Sequence, residues 1–371
     1  MARIGILATP YAVERNMEHI LYRIPKILSK ENHIDIIGLE AESERIRGSF
    51  HIIRANAVER AVGNVPFIGP FFKRIFILRR YIRSFHPDIV MALSSVGVNG
   101  FCTSLIGKKM SIPTVIRVTS DIFNVHKFTY PFNKRVKLFF SNNLLGRLAI
   151  LLSTKTIVLH EIQAKQLERA GFSITKFHVI SQPIIFPPEK DLSSLSINLR
   201  DTFNIPHNAF LVGVIGRLDP DKRLDMMVRV VQLVLKHDSN AFFMIVGNGS
   251  RKKWLRQKLS NGRVIFVDQI PRDQLANFYK SINVLLHTSY SEGLSSVIAE
   301  AIYFGVPVVA SDSGEITRAL VSNVRKTADG LAELILSRRI TKDPLPPYLI
   351  PEHTSRKYLE LVRGLEKNFS Q

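Results

Sequence analysis

The chain has 371 residues, 46% of them hydrophobic, a single cysteine and a formal net charge of +20. That is enough apolar material for a full core, and the length favours two domains over one. A lone Cys102 excludes an intrachain disulfide framework and a thiolate zinc cluster, and it suits a reducing compartment. The start carries Ile4, Ile6 and Leu7 and then breaks at Thr9-Pro10. It lacks the basic start, long apolar stretch and small-residue cleavage site of a signal peptide. No window reaches about 18 uninterrupted apolar residues, so a spanning helix is not expected. These features point to a cytoplasmic protein.

The positive charge is unevenly placed. Residues 60–155 hold 15 basic residues against two acidic ones, Asp88 and Asp121. Such a field attracts nucleic acid, anionic membranes and phosphorylated substrates alike.

Taken in chain order, the first half alternates strands with helices. Strands are expected at Arg3–Ala8, Ile34–Leu39, Ile89–Ala92, Thr114–Val118 and Thr156–Leu159, with a short extended piece at Phe177–Ile180. Most are apolar on both faces, as a parallel sheet covered by helices requires. Helical periodicity marks His19–Ser29 and Phe71–Ser84. Pro183, Pro187, Pro188 and a Ser-rich run at 193–196 read as a linker. The second half repeats the rhythm. Its strands are expected at Ala209–Gly213, Ala241–Val246, Val264–Val267, Val284–Leu286 and Val306–Ala310. Its helices are expected at Leu224–Lys236, Lys252–Leu259, Gln274–Lys280 and Leu294–Phe304. The expected fold is therefore α/β, with two facing Rossmann-like, doubly wound domains. They take residues 1–187 and 201–350, joined by 188–200, and a closing helix at 351–371 follows; the first domain is one place for it to pack, but spacing does not fix which domain it packs on.

Two stretches in the second half carry chemistry. Gly213-Val214-Ile215-Gly216-Arg217-Leu218 leaves a strand and meets Asp219-Pro220. Gly216 lets backbone amides approach an oxyanion, Arg217 offers a planar fork of donors, and Lys222 adds a point charge. Together they suit a diphosphate, although a plain strand-to-helix turn with solvated basic residues fits the local pattern too. Gly247-Asn248-Gly249 is the kind of turn that strand ends favour. The stretch from His287 to Ala301 is sharper. Glu292 stands just before a helix and Glu300 about two turns inside it, the helix amides near Leu294 to Ser296 are free to meet a phosphate, and Gly293, Leu294 and Ser295 are expected substrate contacts. A capping role for Glu292 and a solvated or paired Glu300 are the plainer alternatives.

In combination these residues resemble the retaining glycosyltransferases of GT-B family 4 (glycosyl transferases group 1). The matching features are Gly216-Arg217 to Lys222, Gly247-Asn248-Gly249, the Glu292-Gly293 to Glu300-Ala301 motif and Gly305-Val306-Pro307-Val308-Val309, which cover most of 209–316. The resemblance implies two facing Rossmann-like domains and a nucleotide diphosphate sugar donor. In it Arg217 and Lys222 meet the diphosphate, Glu300 the ribose and Glu292 the transferred sugar. The resemblance implies no metal or other cofactor for the transfer, in line with a sequence that shows no convincing carboxylate or His metal cluster.

The chain also departs from the family pattern. Lys222-Arg223 stands where Lys-Gly is usual, and Arg15, Asn16 and Glu18 stand nearest to the usual Gly-Gly and Glu after the first strand. Ser120 stands where a His is frequent, followed by Asp121, with His126 further on. Asp121, Glu292, Arg217 and Lys222 are the expected catalytic residues, and Ser120 and His126 are expected substrate contacts. The expected acceptor is a glycan or a lipid-linked glycan.

Basic residues alternate with aromatic and aliphatic ones over Pro66–Arg83 and Tyr130–Leu152. This adds an anionic membrane surface as an expected partner. A catalytically inactive scaffold or a basic nucleic-acid-binding protein remains the alternative. The cleft motifs argue against nucleic acid, as does the lack of zinc-finger spacing or a recognisable RNA-binding motif.

Overall fold

The computed structural model describes residues 1–8, 18–38, 46, 48–65, 68–93, 96–119, 132–184, 198–271 and 274–369. The described residues up to Pro183, together with the helix Pro351–Phe369, form one compact unit, and Ile184–Ile350 form a second.

The first unit is built on seven strands: β1 (Arg3–Leu7), β2 (His33–Ile37), β3 (His51–Ile53), β4 (Ile89–Ala92), β5 (Thr114–Val118), β6 (Lys155–Val158) and β7 (Phe177–Val179). They lie in the order β3-β2-β1-β4-β5-β6-β7, and every pairing is parallel. β4 and β5 are buried along their whole length, which explains why they read as unbroken apolar runs. The helix Pro351–Phe369 offers Tyr358, Leu361, Val362 and Leu365 as one buried stripe and packs on the helix Glu18–Leu28. Their spacing of three and four residues is what a helix face requires.

The second unit repeats the scheme with β8 (Phe210–Ile215), β9 (Ala241–Val246), β10 (Val264–Val267), β11 (Val284–His287), β12 (Val308–Ser311) and β13 (Asn323–Arg325). The order is β10-β9-β8-β11-β12-β13, again wholly parallel. The helix Leu224–His237 covers one face, burying Leu224, Met227, Val228, Val231 and Val234 against Phe243 and Ile245 of β9. Both units are Rossmann-like, as the alternation of apolar runs predicts.

Short elements escape the sequence reading. β3 and β13 have three residues each, too few to show a period. The helices Phe101–Lys109, Glu161–Arg169 and Ala328–Ser337 were also not anticipated. The first of these has polar Thr103 and Ser104 fully buried, which blurs the amphipathic pattern. β8 runs on to Ile215 and β12 to Ser311, two and one residues further than expected.

One contact in the first unit is sterically exacting. A Cβ added to Gly5 in β1 lies 2.3 Å from the Tyr81 ring, and Tyr81 is fully buried on the helix Gly69–Phe85. Gly5 is therefore the gap that admits this ring. Gly5→Ala is expected to lower stability by about 1–3 kcal/mol, the usual cost of overpacking a core, read as a drop in the denaturant midpoint. Tyr81→Leu in the same background should recover part of the loss.

Candidate functional site in the second unit

In a doubly wound sheet, ligands bind at the carboxyl ends of the strands where the chain order reverses, because there the two flanking loops diverge. In the second unit that point lies between β8 and β11. The loop after β8 carries Gly216, Arg217 and Lys222, and the loop after β11 carries Glu292, Gly293, Leu294 and Ser295. Both stretches singled out in the sequence thus open from adjacent strands.

Backbone contacts fix the first loop. Gly216 N–H donates to Val246 O at 3.0 Å, and Leu218 N–H to Asn248 O at 2.9 Å. Gly247 has φ +148 and a Cβ there would lie 1.9 Å from Gly216 O, so only glycine permits the approach. Gly247 and Gly249, weak turn markers in the sequence, are what brings the end of β9 against this loop. Asp219 Oδ1 accepts from Ser250 N at 3.0 Å and Oγ at 2.9 Å.

Hydrogen bonds then lace the two loops together. Tyr290 N–H donates to Asp221 O at 3.0 Å, and Thr288 Oγ1 donates to Lys222 O at 2.8 Å. The loop after β12 joins them, since Glu292 N–H donates to Ser313 O at 3.1 Å. Across this seam Lys222 Nζ donates to Glu292 Oε1 at 2.5 Å. Arg217 spans Asp219 Oδ2 at 2.6 Å and Asp221 Oδ2 at 2.8 Å. The two cations proposed for an anion are therefore each held by carboxylates, and the carboxylates come from the loops' own sequence.

Burial alone raises the pKa of Glu292, but the Lys222 charge and the adjacent His287 ring outweigh it and hold the carboxyl well below its ordinary value. His287, the last residue of β11, brings Nε2 to 3.4 Å from Glu292 Oε1, within reach of its charge but without hydrogen-bond alignment. Burial likewise opposes ionisation of Asp219, while hydrogen bonds from Ser250 and the Arg217 guanidinium lower its pKa overall. Glu292 is thus a carboxylate at neutral pH. It can accept hydroxyl hydrogen bonds and stabilise positive charge, and it has no proton to give.

The helix that follows spans Ser296–Tyr303, with Ser295 as its N-cap, two residues later than expected. Capping therefore falls to Ser295 and not to Glu292. Glu300 is buried on this helix, and its Oε2 accepts from Tyr279 Oη at 3.0 Å. Tyr279 and His287 are the site residues the sequence reading assigned no role; His287 was visible as a polar residue closing an apolar strand. Ser120, Asp121 and His126 lie outside the described residues, as do Arg15, Asn16 and the side chain of Glu18.

The Lys222-Arg223 departure has a local consequence. Arg223 sits at φ 46, ψ 49, the left-handed region that costs a non-glycine residue about 1–2 kcal/mol. Its guanidinium lies over the Tyr290 ring, 5.2 Å from the centroid. This cation–π contact, on the same seam, offsets part of that strain.

Because folding lowers the pKa values of Glu292 and Asp219, the unfolded chain binds protons more readily at these groups. The stability they confer is complete above the ordinary glutamate value of 4.5 and is lost as pH falls below it towards the folded-state value. Melting temperatures of wild type are expected to fall on acidification below pH 4.5, and the fall should be shallower in Glu292→Gln. At neutral pH the same variant should be less stable by roughly 1–3 kcal/mol, since Lys222 loses its nearer charged partner and keeps only Asp221 at 3.9 Å.

Relatives give this arrangement a context. The chain is 24% identical over 258 residues to the putative teichuronic acid biosynthesis glycosyltransferase TuaC of Bacillus subtilis, covering 68% of this chain and 61% of that protein. It is 26% identical over 239 residues to a GDP-mannose-dependent alpha-mannosyltransferase of Mycolicibacterium smegmatis, covering 63% and 58%. The chain thus spans less than two thirds of either relative. Among solved structures, HepE of Anabaena in complex with UDP and glucose superimposes with a TM-score of 0.66 at 16% identity, over 100% of this chain and 98% of that one. WaaG, a glycosyltransferase involved in lipopolysaccharide biosynthesis, gives 0.65 at 15% identity, over 98% of both. The fold is that of the GT-B glycosyltransferases, two Rossmann-like parallel-sheet domains. Residues 196–335, which hold every element of the site described above, match the profile of the family of glycosyl transferases group 1.

Proposed function

We propose that the protein is a retaining glycosyltransferase that moves a sugar from a nucleotide diphosphate sugar to a glycan or lipid-linked glycan. The observation that carries this reading is the Lys222–Glu292 contact of 2.5 Å across the β8 and β11 loops. It puts a cation suited to a departing diphosphate beside an ionised carboxylate suited to a sugar. In the proposed complex Lys222 and Arg217 turn to the diphosphate, aided by the Leu294–Ser296 amides at the helix start. Glu292 accepts from the sugar hydroxyls and stabilises the oxocarbenium-like centre, and Glu300 accepts from the ribose. Asp121 completes the catalytic set, and Ser120 and His126 are the proposed contacts on the acceptor side. The bond from the anomeric carbon to the phosphate oxygen breaks as the bond to the acceptor oxygen forms. The acceptor proton passes to the departing phosphate. Protein groups position the acceptor and stabilise charge, and no enzyme nucleophile is required.

Nucleotide binding tests this. Calorimetry with UDP and GDP is expected to find binding of one of them, weakened at least about tenfold in both Arg217→Ala and Glu300→Ala, the loss of a charged hydrogen bond. Unchanged binding in both variants would remove the proposed donor site. The productive donor then follows from transfer assays with UDP- and GDP-sugars and membrane extract.

Membrane contact belongs to the same proposal. Among the described residues no helix is long and apolar enough to cross a membrane. On the helix Gly69–Phe85, exposed Phe72, Phe76, Arg79 and Arg83 share one face, and Phe72 and Phe76 stack at 6.4 Å. On Phe132–Phe139 and the turn beyond it, Phe132, Val136, Phe140 and Leu144 are exposed at intervals of four, beside Arg135 and Lys137. Aromatic insertion and attraction to anionic head groups add on such surfaces. Flotation with vesicles containing phosphatidylglycerol is expected to recover the protein, with recovery falling in Phe72→Ser/Phe76→Ser and in high salt. Equal recovery with purely zwitterionic vesicles would count against an anionic surface as partner.

A further inference from the structure

The amino-terminal rim of the first sheet gathers two histidines and a carboxylate. His33 and Asp35 stand two residues apart on β2 and so point to the same face. His51 opens β3, and the parallel register sets it directly opposite Asp35. Arg3 opens β1 opposite His33. Three strand starts thus deliver their side chains to one spot, which no spacing along the chain reveals.

The Asp35 side chain is fully buried, and its two oxygens have different company. Oδ2 accepts from Tyr81 Oη at 2.7 Å and from Arg3 Nε at 2.7 Å. Oδ1 faces His51 Nδ1 at 2.6 Å and His33 Nε2 at 3.3 Å. The donor atoms of the three residues lie within 4.8 Å of one another. In tetrahedral zinc coordination, bonds of about 2.0–2.2 Å put neighbouring donors about 3.3 Å apart, so small side-chain shifts bring these three into range. His33 and His51 are 49% and 47% exposed and line an open cavity of about 370 Å³ with Asn32, Gly48 and Phe50. That cavity leaves room for a water or an external ligand in the fourth position.

We propose that His33, Asp35 and His51 form a binding site for a divalent transition metal of the zinc type. The donor set of two imidazoles and one carboxylate suits Zn²⁺ and Co²⁺ rather than Mg²⁺ or Ca²⁺, which take oxygen ligands. Tyr81 and Arg3 hold Oδ2 and so aim Oδ1 at the histidines, the supporting role that outer partners play for a ligating carboxylate. Arg3 does not block the ion. Its Nε bond is to Oδ2, and only its terminal nitrogen, 3.4 Å from Oδ1, would yield. The site pins β3, the edge strand, to β2. It lies at the opposite strand ends of its sheet from those where such folds bind substrates, and it is independent of the proposed transfer reaction.

The test uses the tag-free full chain, stripped with chelator and titrated calorimetrically with Zn²⁺, then with Co²⁺ as a coloured probe. One Zn²⁺ per chain is expected, with a tetrahedral Co²⁺ spectrum. Binding should weaken at least about tenfold in His33→Ala and in His51→Ala and vanish in the double variant. As a measurement that needs no variant, Zn²⁺ should shield His33 and His51 of the wild-type chain from carbethoxylation, read by mass spectrometry. Failure of the wild-type chain to bind, or unchanged carbethoxylation of both histidines in saturating Zn²⁺, overturns the site. Undiminished binding in the folded double variant does so as well.

Discussion

Everything in the second unit follows from the parallel pairing of β8 with β11. Parallel neighbours send their carboxyl ends the same way, so the loops that follow them start side by side although some 70 residues apart. The chain order reverses at this pair, and the helices that leave these strands therefore diverge, keeping the loop ends accessible. The cross-loop hydrogen bonds and the Lys222–Glu292 pair presuppose that adjacency, while the glycine contacts rest on the pairing of β8 with β9.

The charge arrangement there is balanced within the loops themselves. Arg217 faces two aspartates and Lys222 faces Glu292. Lys222 is largely buried, where a cation without a partner would be costly, and Glu292 supplies that partner. Arg223, in a backbone conformation that favours glycine, fastens the same seam through Tyr290. A site that needs its loops held in register gains from such a contact even at some local strain.

The first unit uses the same parallel geometry at the other ends of its strands. Gly5 makes room for Tyr81, Tyr81 reaches Asp35, and Asp35 meets both histidines. The exposed aromatic and basic faces of its helices are a separate feature, set by residues the core does not need. The basic surplus of residues 60–155 therefore divides, with Arg79 and Arg83 in solvent while Arg117 is wholly buried.

By itself the sequence determined the class of fold and singled out the two loops that adjacent strands bring together as the candidate site. Buried parallel strands must be apolar on both faces, so their rhythm was legible in Ile- and Val-rich runs. The residues Gly216 to Lys222 and Glu292 to Glu300 stood out because their chemistry interrupts that rhythm at strand ends. Three-residue strands and helices with buried polar residues were not legible, since neither carries a period. The partners were also hidden: Glu292 with Lys222 and His287, Glu300 with Tyr279, and Asp35 with His33, His51, Tyr81 and Arg3. The contacts between strands and their loops depend on which strand lies beside which and in what register, and Glu300–Tyr279 depends on how two helices pack. Hydrogen bonding across a sheet settles those choices between segments far apart in the chain, and only the tertiary structure decided them.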